Sequence, residues 1–320
     1  MTTAFITGVT GQDGSYLSEK LLALGWDVHG MVRPGVTGEQ PVIAGVTSHV
    51  GDLGDVSSLT AMLESAKPDV VFNLAGISSV AQSWAEPALT GAITGMAVGN
   101  MLETCRRISE RSSREIRFIQ ASSSEIFGNA EHDPQTESTP LRPTSPYGAA
   151  KAYAHHLVSV YRGSGLWAAS AILYNHESPR RPPAFVTRKI TMGVAAIAQG
   201  RADTIELGNL DARRDWGWAA DYMDAVIDIA RADEPSDYIV ATGVTHSVRE
   251  FVEAAFRRAG IDDAARHIEI NEKWNRPADV AAPRGSSAKI REQLGWRPSL
   301  GFEEIVSAMV DHDLKSNDSQ

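Results

Sequence analysis

At 320 residues, 42% apolar and 22% charged, the chain has the composition of an ordinary globular protein with a sizeable core, not of a disordered one. Its formal net charge of −10 excludes a non-specific nucleic-acid binder and requires any anionic ligand to meet a locally basic pocket. The only cysteine, Cys105, cannot form an internal disulfide, and no apolar run approaches the ~20 residues that span a bilayer. The chain opens directly into a strand, so no signal peptide is expected, and the expected location is the cytoplasm with neither membrane nor nucleic acid as a partner.

In chain order, Ala4-Phe5-Ile6-Thr7 is a short apolar run that ends in a Gly-rich turn, followed by Tyr16, Leu17, Leu21 and Leu22 at helical spacing. The runs 26–32, 70–74 and 116–120 repeat the strand pattern with helical stretches between them. This alternation predicts an α/β fold, a Rossmann-type doubly wound parallel sheet with ligands beyond the carboxyl ends of its strands. Residues 178–220 change character, with prolines at 179, 182 and 183 among Arg180, Arg181, Arg188, Lys189, Arg213 and Arg214. A Trp/Arg/Pro-rich stretch near 268–300 and an amphipathic helix from about Phe302 follow. The expected division is a dinucleotide-binding domain over 1–174, to which 225–247 returns, and a smaller C-terminal α/β substrate-binding lobe over 175–224 and 248–320.

Gly8-Val9-Thr10-Gly11-Gln12-Asp13-Gly14 spaces its glycines as Gly-x-x-Gly-x-x-Gly between the first strand and a helix. Such glycines permit the turn and let the backbone approach a pyrophosphate, while the helix N-terminus offers unpaired N–H groups. Gly8, Thr10, Gly11, Gln12 and Asp13 are therefore expected at a dinucleotide. The second strand ends at Met31-Val32-Arg33, where a carboxylate would suit NAD and an arginine suits a 2′-phosphate, so Arg33 favours NADP. Asp52 and Leu53, after a third strand, are expected beside the adenine, and Leu74 and Ala75 where the next strand end approaches the cofactor. No metal is expected.

Tyr147 and Lys151 stand at i and i+4 and share one helix face. A neighbouring cation stabilises phenolate, so the Tyr147 pKa is expected to fall towards the working range, making it a base for a sugar hydroxyl. Pro146 before the tyrosine and the serines at 122–124 strengthen that reading. Ser123 is expected to bond the reacting oxygen. Glu125 is the informative residue, because removing water across C5 and C6 of a hexose requires a base for the C5 proton once a C4 ketone has acidified it.

With these residues in place, the chain resembles the extended short-chain dehydrogenase/reductases and, among them, the GDP-mannose 4,6-dehydratase family. The likeness runs nearly end to end. It rests on Thr7-Gly8-Val9-Thr10-Gly11-Gln12-Asp13-Gly14, Ser145-Pro146-Tyr147-Gly148-Ala149-Ala150-Lys151, Asn175-His176-Glu177-Ser178-Pro179-Arg180-Arg181 and Arg214-Asp215-Trp216-Gly217. It implies NADP taking hydride from C4, Glu125 assisting loss of water, hydride returning to C6, and GDP-4-keto-6-deoxymannose as product. Tyr147 and Lys151 would then also touch the cofactor, together with His176 and Arg181. Ser78, Ser124, Asn175, Arg188, Lys189, Arg214 and Arg276 would line the GDP-sugar site.

Departures from the family pattern lie at Ser123 (usually threonine), Ser79, Leu89, Asp279 and Ser286. The loop after Arg33 is short and lacks a second arginine, which favours a homodimer over the family-like tetramer. The alternative function is a GDP-4-keto-6-deoxyhexose reductase, or another nucleotide-sugar dehydratase or epimerase on the same scaffold.

Overall fold

The computed structural model describes residues 1–35, 38, 40–274 and 283–316. The first half alternates β1 (Thr3–Thr7), α1 (Gln12–Ala23), β2 (Asp27–Val32), β3 (Thr47–Val50), α2 (Val56–Ala66) and β4 (Val70–Asn73). Two short helices, α3 (Val80–Ala85) and α4 (Pro87–Thr90), lead through a π-helical turn (Gly91–Met96) into α5 (Ala97–Ser112). Then come β5 (Arg117–Ser123), α6 (Pro146–Gly163) and β6 (Ala168–Leu173). The remainder holds β7 (Asn175–Glu177), α7 (Val186–Ala198), β8 (Ile205–Leu207), β9 (Arg213–Trp218), α8 (Ala219–Arg231) and β10 (Asp237–Val240). It closes with β11 (Thr245–Ser247), α9 (Val248–Arg258), β12 (Ile268–Ile270), α10 (Ala288–Leu294) and α11 (Phe302–Ser316).

Seven strands form one sheet in the order β3-β2-β1-β4-β5-β6-β10, every neighbouring pair parallel. This is the doubly wound sheet expected from the strand–helix alternation. Strand order reverses between β1 and β4, which opens a crevice at their carboxyl ends. Adjacent residues of each strand point to opposite faces and build two cores. Ile6, Phe72 and Ile119 pack with Leu17 of α1 and Met223 of α8 on one face. Phe5, Val71 and Phe118 pack with Leu63 of α2 and Met101 of α5 on the other. Each such buried side chain contributes about 1.5–3 kcal/mol, so burial on both faces explains why these strands read as unbroken apolar runs.

A third core joins α7, α9 and α11 around Ile190, Val194, Trp216, Phe251 and Met309. It sits beside a three-stranded sheet in which β9 pairs parallel with β7 and antiparallel with β11. Within the stretch 225–247, β10 lies at the edge of the large sheet, whereas Thr245–Ser247 pairs with β9. Among the described residues, no helix is long and apolar enough to cross a membrane.

Candidate active site

The glycine turn sits where the sheet reverses. Gly8 has a left-handed φ of 73°, and a Cβ there would lie 3.0 Å from the Ala75 nitrogen of the neighbouring strand end. At Gly14 a Cβ would come within 2.1 Å of the Gly8 carbonyl oxygen, so α1 can start hard against the turn only with glycine there. Gly11 caps α1 without a side-chain bond, which leaves the first N–H groups of the helix for an anion. The turn therefore fits a pyrophosphate. Gln40 N–H donates to the Thr10 carbonyl at 2.7 Å, which sets Gln40 against the turn. Arg33 is exposed just beyond β2, Asp52 is exposed and accepts from Gly54 N–H at 2.7 Å, and Leu53 is buried. Leu74 and Ala75 border the crevice from the end of β4, followed by exposed Ser78.

The candidate reacting groups come from β5 and α6, and from the turn that follows β5. Ser145 accepts from Gly148 N–H at 3.0 Å and Pro146 follows at the first helical position, which fixes the start of α6 and puts Tyr147 in its first turn. Lys151 lies one turn on, with Nζ 5.9 Å from the centre of the Tyr147 ring. Ser123 hydrogen-bonds the Tyr147 hydroxyl, and its own oxygen accepts from Glu125 N–H at 3.3 Å. Glu125 therefore lies in the short turn capped by Ser123, and its charge is felt at Tyr147. Ser124 is half-buried in the same turn.

Tyr147 departs from the expectation of a lowered pKa. Burial pushes its phenol up to about 12; the Ser123 hydrogen bond pulls down and Glu125 pushes up. Desolvation outweighs the downward pull of the Ser123 hydrogen bond and of Arg181, and it decides the direction that the i, i+4 ammonium had argued the other way. Lys151 is itself nearly buried, and burial lowers its amine to about 8 while Asp13 opposes the shift. Its Nζ donates to the Ala121 carbonyl at 2.7 Å.

Asp13 and His176 meet across the crevice, with Nε2 at 3.0 Å from both carboxylate oxygens. His176 Nδ1 donates to the Tyr174 carbonyl at 2.7 Å, and its ring stacks on Tyr222 at 4.8 Å. Gln12 joins the same contact, donating to the His176 carbonyl and accepting from the Ser178 hydroxyl at 2.8 Å. Arg181 stands over the Phe185 ring at 3.8 Å and acts electrostatically on Asp13, His176 and Tyr147. Arg180 reaches instead to Glu19 and Ser15 of α1 and covers the Tyr16 ring at 4.0 Å. A cavity of about 400 Å³ lined by Tyr16, Gln40, Pro179, Arg180 and His312 opens beside this clamp. A second, of about 610 Å³ between α9 and α11, is lined by none of the reacting residues.

The expected substrate cations are not equivalent. Arg188 is buried, its guanidinium paired with Asp313 of α11 and bonded to the Pro179 carbonyl at 3.0 Å, so it does not stand as an open cation. Lys189 is half-buried with its ammonium 3.5 Å from the centre of the Trp274 ring. Arg214 is buried in β9 and donates to the Arg213 carbonyl, and Asn175 opens β7. Arg276 and Asp279 lie outside the described residues. Of the family departures, Ser79 caps α3 by accepting from Gln82 N–H at 3.2 Å, and Leu89 is exposed on α4.

Two contacts escape a sequence reading. The Asp13–His176 pair joins residues 163 positions apart. Thr7, Asn73 and Gln120 also form one hydrogen-bonded row beneath the crevice. Their only signal is a polar residue ending β1 and β4 and another in the buried middle of β5.

A glycine turn facing a Tyr-x-x-x-Lys pair across the switch point of a parallel sheet is the construction of an extended short-chain dehydrogenase/reductase. Solved structures share it: the UDP-glucose 4-epimerase of Thermus thermophilus in complex with NAD superposes with a TM-score of 0.85 at 28% identity, over 97% of this chain and 98% of that one. The sequence matches the family described as GDP-mannose 4,6 dehydratase over residues 5–309. It is 42% identical over 325 residues to GDP-mannose 4,6 dehydratase 1 of Arabidopsis thaliana, covering 98% of this chain and 90% of that protein. To the GDP-mannose 4,6-dehydratase of Vibrio cholerae it is 40% identical over 350 residues, covering 98% and 94%. The chain belongs to the GDP-mannose 4,6-dehydratase family.

Proposed function

We propose that the chain is a hydro-lyase that converts GDP-mannose to GDP-4-keto-6-deoxymannose by oxidation at C4, elimination of water across C5 and C6, and reduction at C6. The observation that carries the reading is a carboxylate, Glu125, felt at the Tyr147 phenol, within a chain that matches this family over residues 5–309. Tyr147, bonded to Ser123, would take the proton of the C4 hydroxyl as phenolate, a form that the positive charge of a bound oxidised nicotinamide would favour against the upward push of burial. Glu125 takes the C5 proton and returns it to the departing C6 oxygen, and as C6 is reduced a solvent-exchanged proton is delivered to C5, balancing the one Tyr147 took from the C4 hydroxyl. A bound nicotinamide dinucleotide supplies the hydride sink at C4 and the hydride source for C6.

Gly8, Thr10, Gly11, Gln12 and Asp13 would hold its pyrophosphate end, with Asp52, Leu53, Leu74 and Ala75 along the crevice. Arg33 carries the assignment to NADP, because β2 runs into an arginine and not into a carboxylate. Arg181, which acts on Tyr147 and Asp13, is placed to meet the same ligand. Ser78, Ser124, Asn175, Lys189, Arg214 and Arg276 are assigned to the GDP-sugar, with the cofactor domain at 1–174 and 225–247 and the substrate lobe at 175–224 and 248–320. Arg188, committed to Asp313, is reassigned to holding α11 against α7.

A homodimer fits the exposed apolar stripe of Tyr153 and Val160, one face of α6, beside exposed Met96 and Leu89; the tetramer is its alternative. A single buried thiol, Cys105, fits the cytoplasm.

The test is incubation with GDP-mannose and catalytic NADP, followed by mass spectrometry. The expected product is lighter by one water, about 18 Da, with no net change in reduced dinucleotide. Stoichiometric consumption of NADPH would instead identify a reductase, and turnover of only another nucleotide sugar would remove GDP-mannose.

A further inference from the structure

The floor of the crevice is made by three neighbouring strands, β1 and β4 at their ends and β5 at its middle, and each carries a polar side chain there in an otherwise apolar interior. Thr7 of β1, Asn73 of β4 and Gln120 of β5 are each at most 1% exposed. They are direct register partners, Thr7 with Asn73 and Asn73 with Gln120. Buried groups of this kind persist only when they satisfy one another.

Their bonds run in one direction. Ala75 N–H donates to the Thr7 hydroxyl oxygen at 3.1 Å, so the hydroxyl donates its own proton to Asn73 Oδ1 at 2.7 Å. Asn73 Nδ2 therefore faces Gln120 Oε1, to which it donates at 2.8 Å. Gln120 Nε2 then donates to the Ala121 carbonyl, also at 2.8 Å. That same oxygen receives the Lys151 ammonium at 2.7 Å. Neither amide can flip alone without setting two buried acceptors or two buried donors against each other.

We propose that Gln120 is a positioning residue for Lys151: it occupies one lone pair of the Ala121 carbonyl and so fixes both the place and the strength of the acceptor that holds the ammonium beside Tyr147. The proposal rests on the reading of Lys151 as part of the reacting set. A carbonyl shared by two donors holds each less tightly than one serving the ammonium alone. The row also starts at Ala75, on the strand end that Gly8 abuts, and finishes at the reacting helix. It thereby ties the glycine turn to Lys151 through the sheet.

The charged groups that face this part of the site are Asp13 from α1, Tyr147 on Lys151's own helix, Glu125 after β5 and Arg181 after β7. The hydrogen bonds of the Gln120 side chain go to Asn73 and the Ala121 carbonyl, so a substitution there reaches Lys151 through the shared carbonyl, and an acidic one through its charge as well.

Gln120→Glu keeps the acceptor for Asn73 but cannot donate to Ala121, and it sets a negative charge near the ammonium. Lys151 should then hold its proton to higher pH, and the alkaline limb of the kcat profile should move up by about one unit, with KM for GDP-mannose changed less than about twofold. Asn73→Asp, which contacts neither Ala121 nor Lys151, should turn the Gln120 amide over and move the limb in the same direction. Competitive acylation with acetic anhydride across pH, read at Lys151 by mass spectrometry, follows the amine without reference to turnover. A merely structural row would lower the melting temperature of both variants and leave the limb and the acylation profile where they were, and that result overturns the proposal. If one variant fails to fold, the other decides. Turnover of GDP-mannose by the unaltered protein tests the functional reading separately.

Discussion

His176 Nε2 lies 3.0 Å from each oxygen of the Asp13 carboxylate, a contact that closes the first turn of α1 against β7. Both pKa shifts follow from it. Burial pushes Asp13 up, but the His176 charge and hydrogen bond outweigh it and hold the carboxyl at about 2, against an ordinary 3.8. For His176, burial lowers and Asp13 raises, and the net direction is upward from 6.5.

The sign of the pH dependence follows. Asp13's share of stability is complete above its ordinary 3.8 and is lost as pH falls through about 2. His176's share is complete below its ordinary 6.5 and is lost as pH rises through its raised value. His176→Gln should therefore cost about 2 kcal/mol at pH near 5.5 and much less near pH 9, measured by urea denaturation at both. An equal loss at the two pH values would show that packing against Tyr222, not charge, is what His176 provides.

The Arg188–Asp313 pair makes a sharper division between binding and stability. Removing either partner strands a charge in the interior, so Arg188→Leu and Asp313→Leu should each cost about 3–5 kcal/mol. The double variant should cost clearly less than their sum. Thermal and chemical denaturation of the four proteins completes the cycle. Wild-type stability in Asp313→Leu, together with a raised KM in Arg188→Leu, would return Arg188 to the substrate.

Arg188 also shows where the sequence stops being legible. It reads as one more cation in a basic cluster, because its partner arrives 125 residues later on α11. The Asp13–His176 contact is hidden for the same reason. By contrast, the glycine turn and the Tyr147/Lys151 spacing depend on neighbours within one turn, so their placement was readable. What spacing could not convey was desolvation, and Tyr147 is shifted up where its neighbour alone argued for down. The Thr7–Asn73–Gln120 row was half legible: polar residues within buried strands announce partners, and only the register names them. The parallel sheet itself followed from periodicity, since its strands are covered on both faces.

Arg33 gives the cofactor prediction. Exposed beyond β2, it offers a guanidinium to a 2′-phosphate and nothing specific to a free ribose hydroxyl. Arg33→Ala should weaken NADP about 10- to 100-fold, the equivalent of one charge-assisted hydrogen-bonded contact, and leave NAD within about twofold. Fluorescence titration with each dinucleotide checks it. An unchanged NADP affinity would move the recognition of the phosphate elsewhere along the crevice.

Glu125, as the proposed base for C5, would carry the step that separates a dehydratase from an epimerase or a reductase. Its N–H is bonded to Ser123 and its charge reaches Tyr147, so one turn holds the groups for C4 and for C5 together. Glu125→Gln keeps the shape and the backbone bond but removes the base. Product formation should fall by about 10²–10⁴, the usual worth of general acid–base catalysis, while the affinity for the dinucleotide stays the same. Solvent deuterium, which the unaltered protein should introduce at C5 of the product, should no longer enter the sugar. Deuterium entering at the normal rate in Glu125→Gln would assign the C5 proton to another group, and Tyr147 would be the first to test, because Ser123 links it to the same turn.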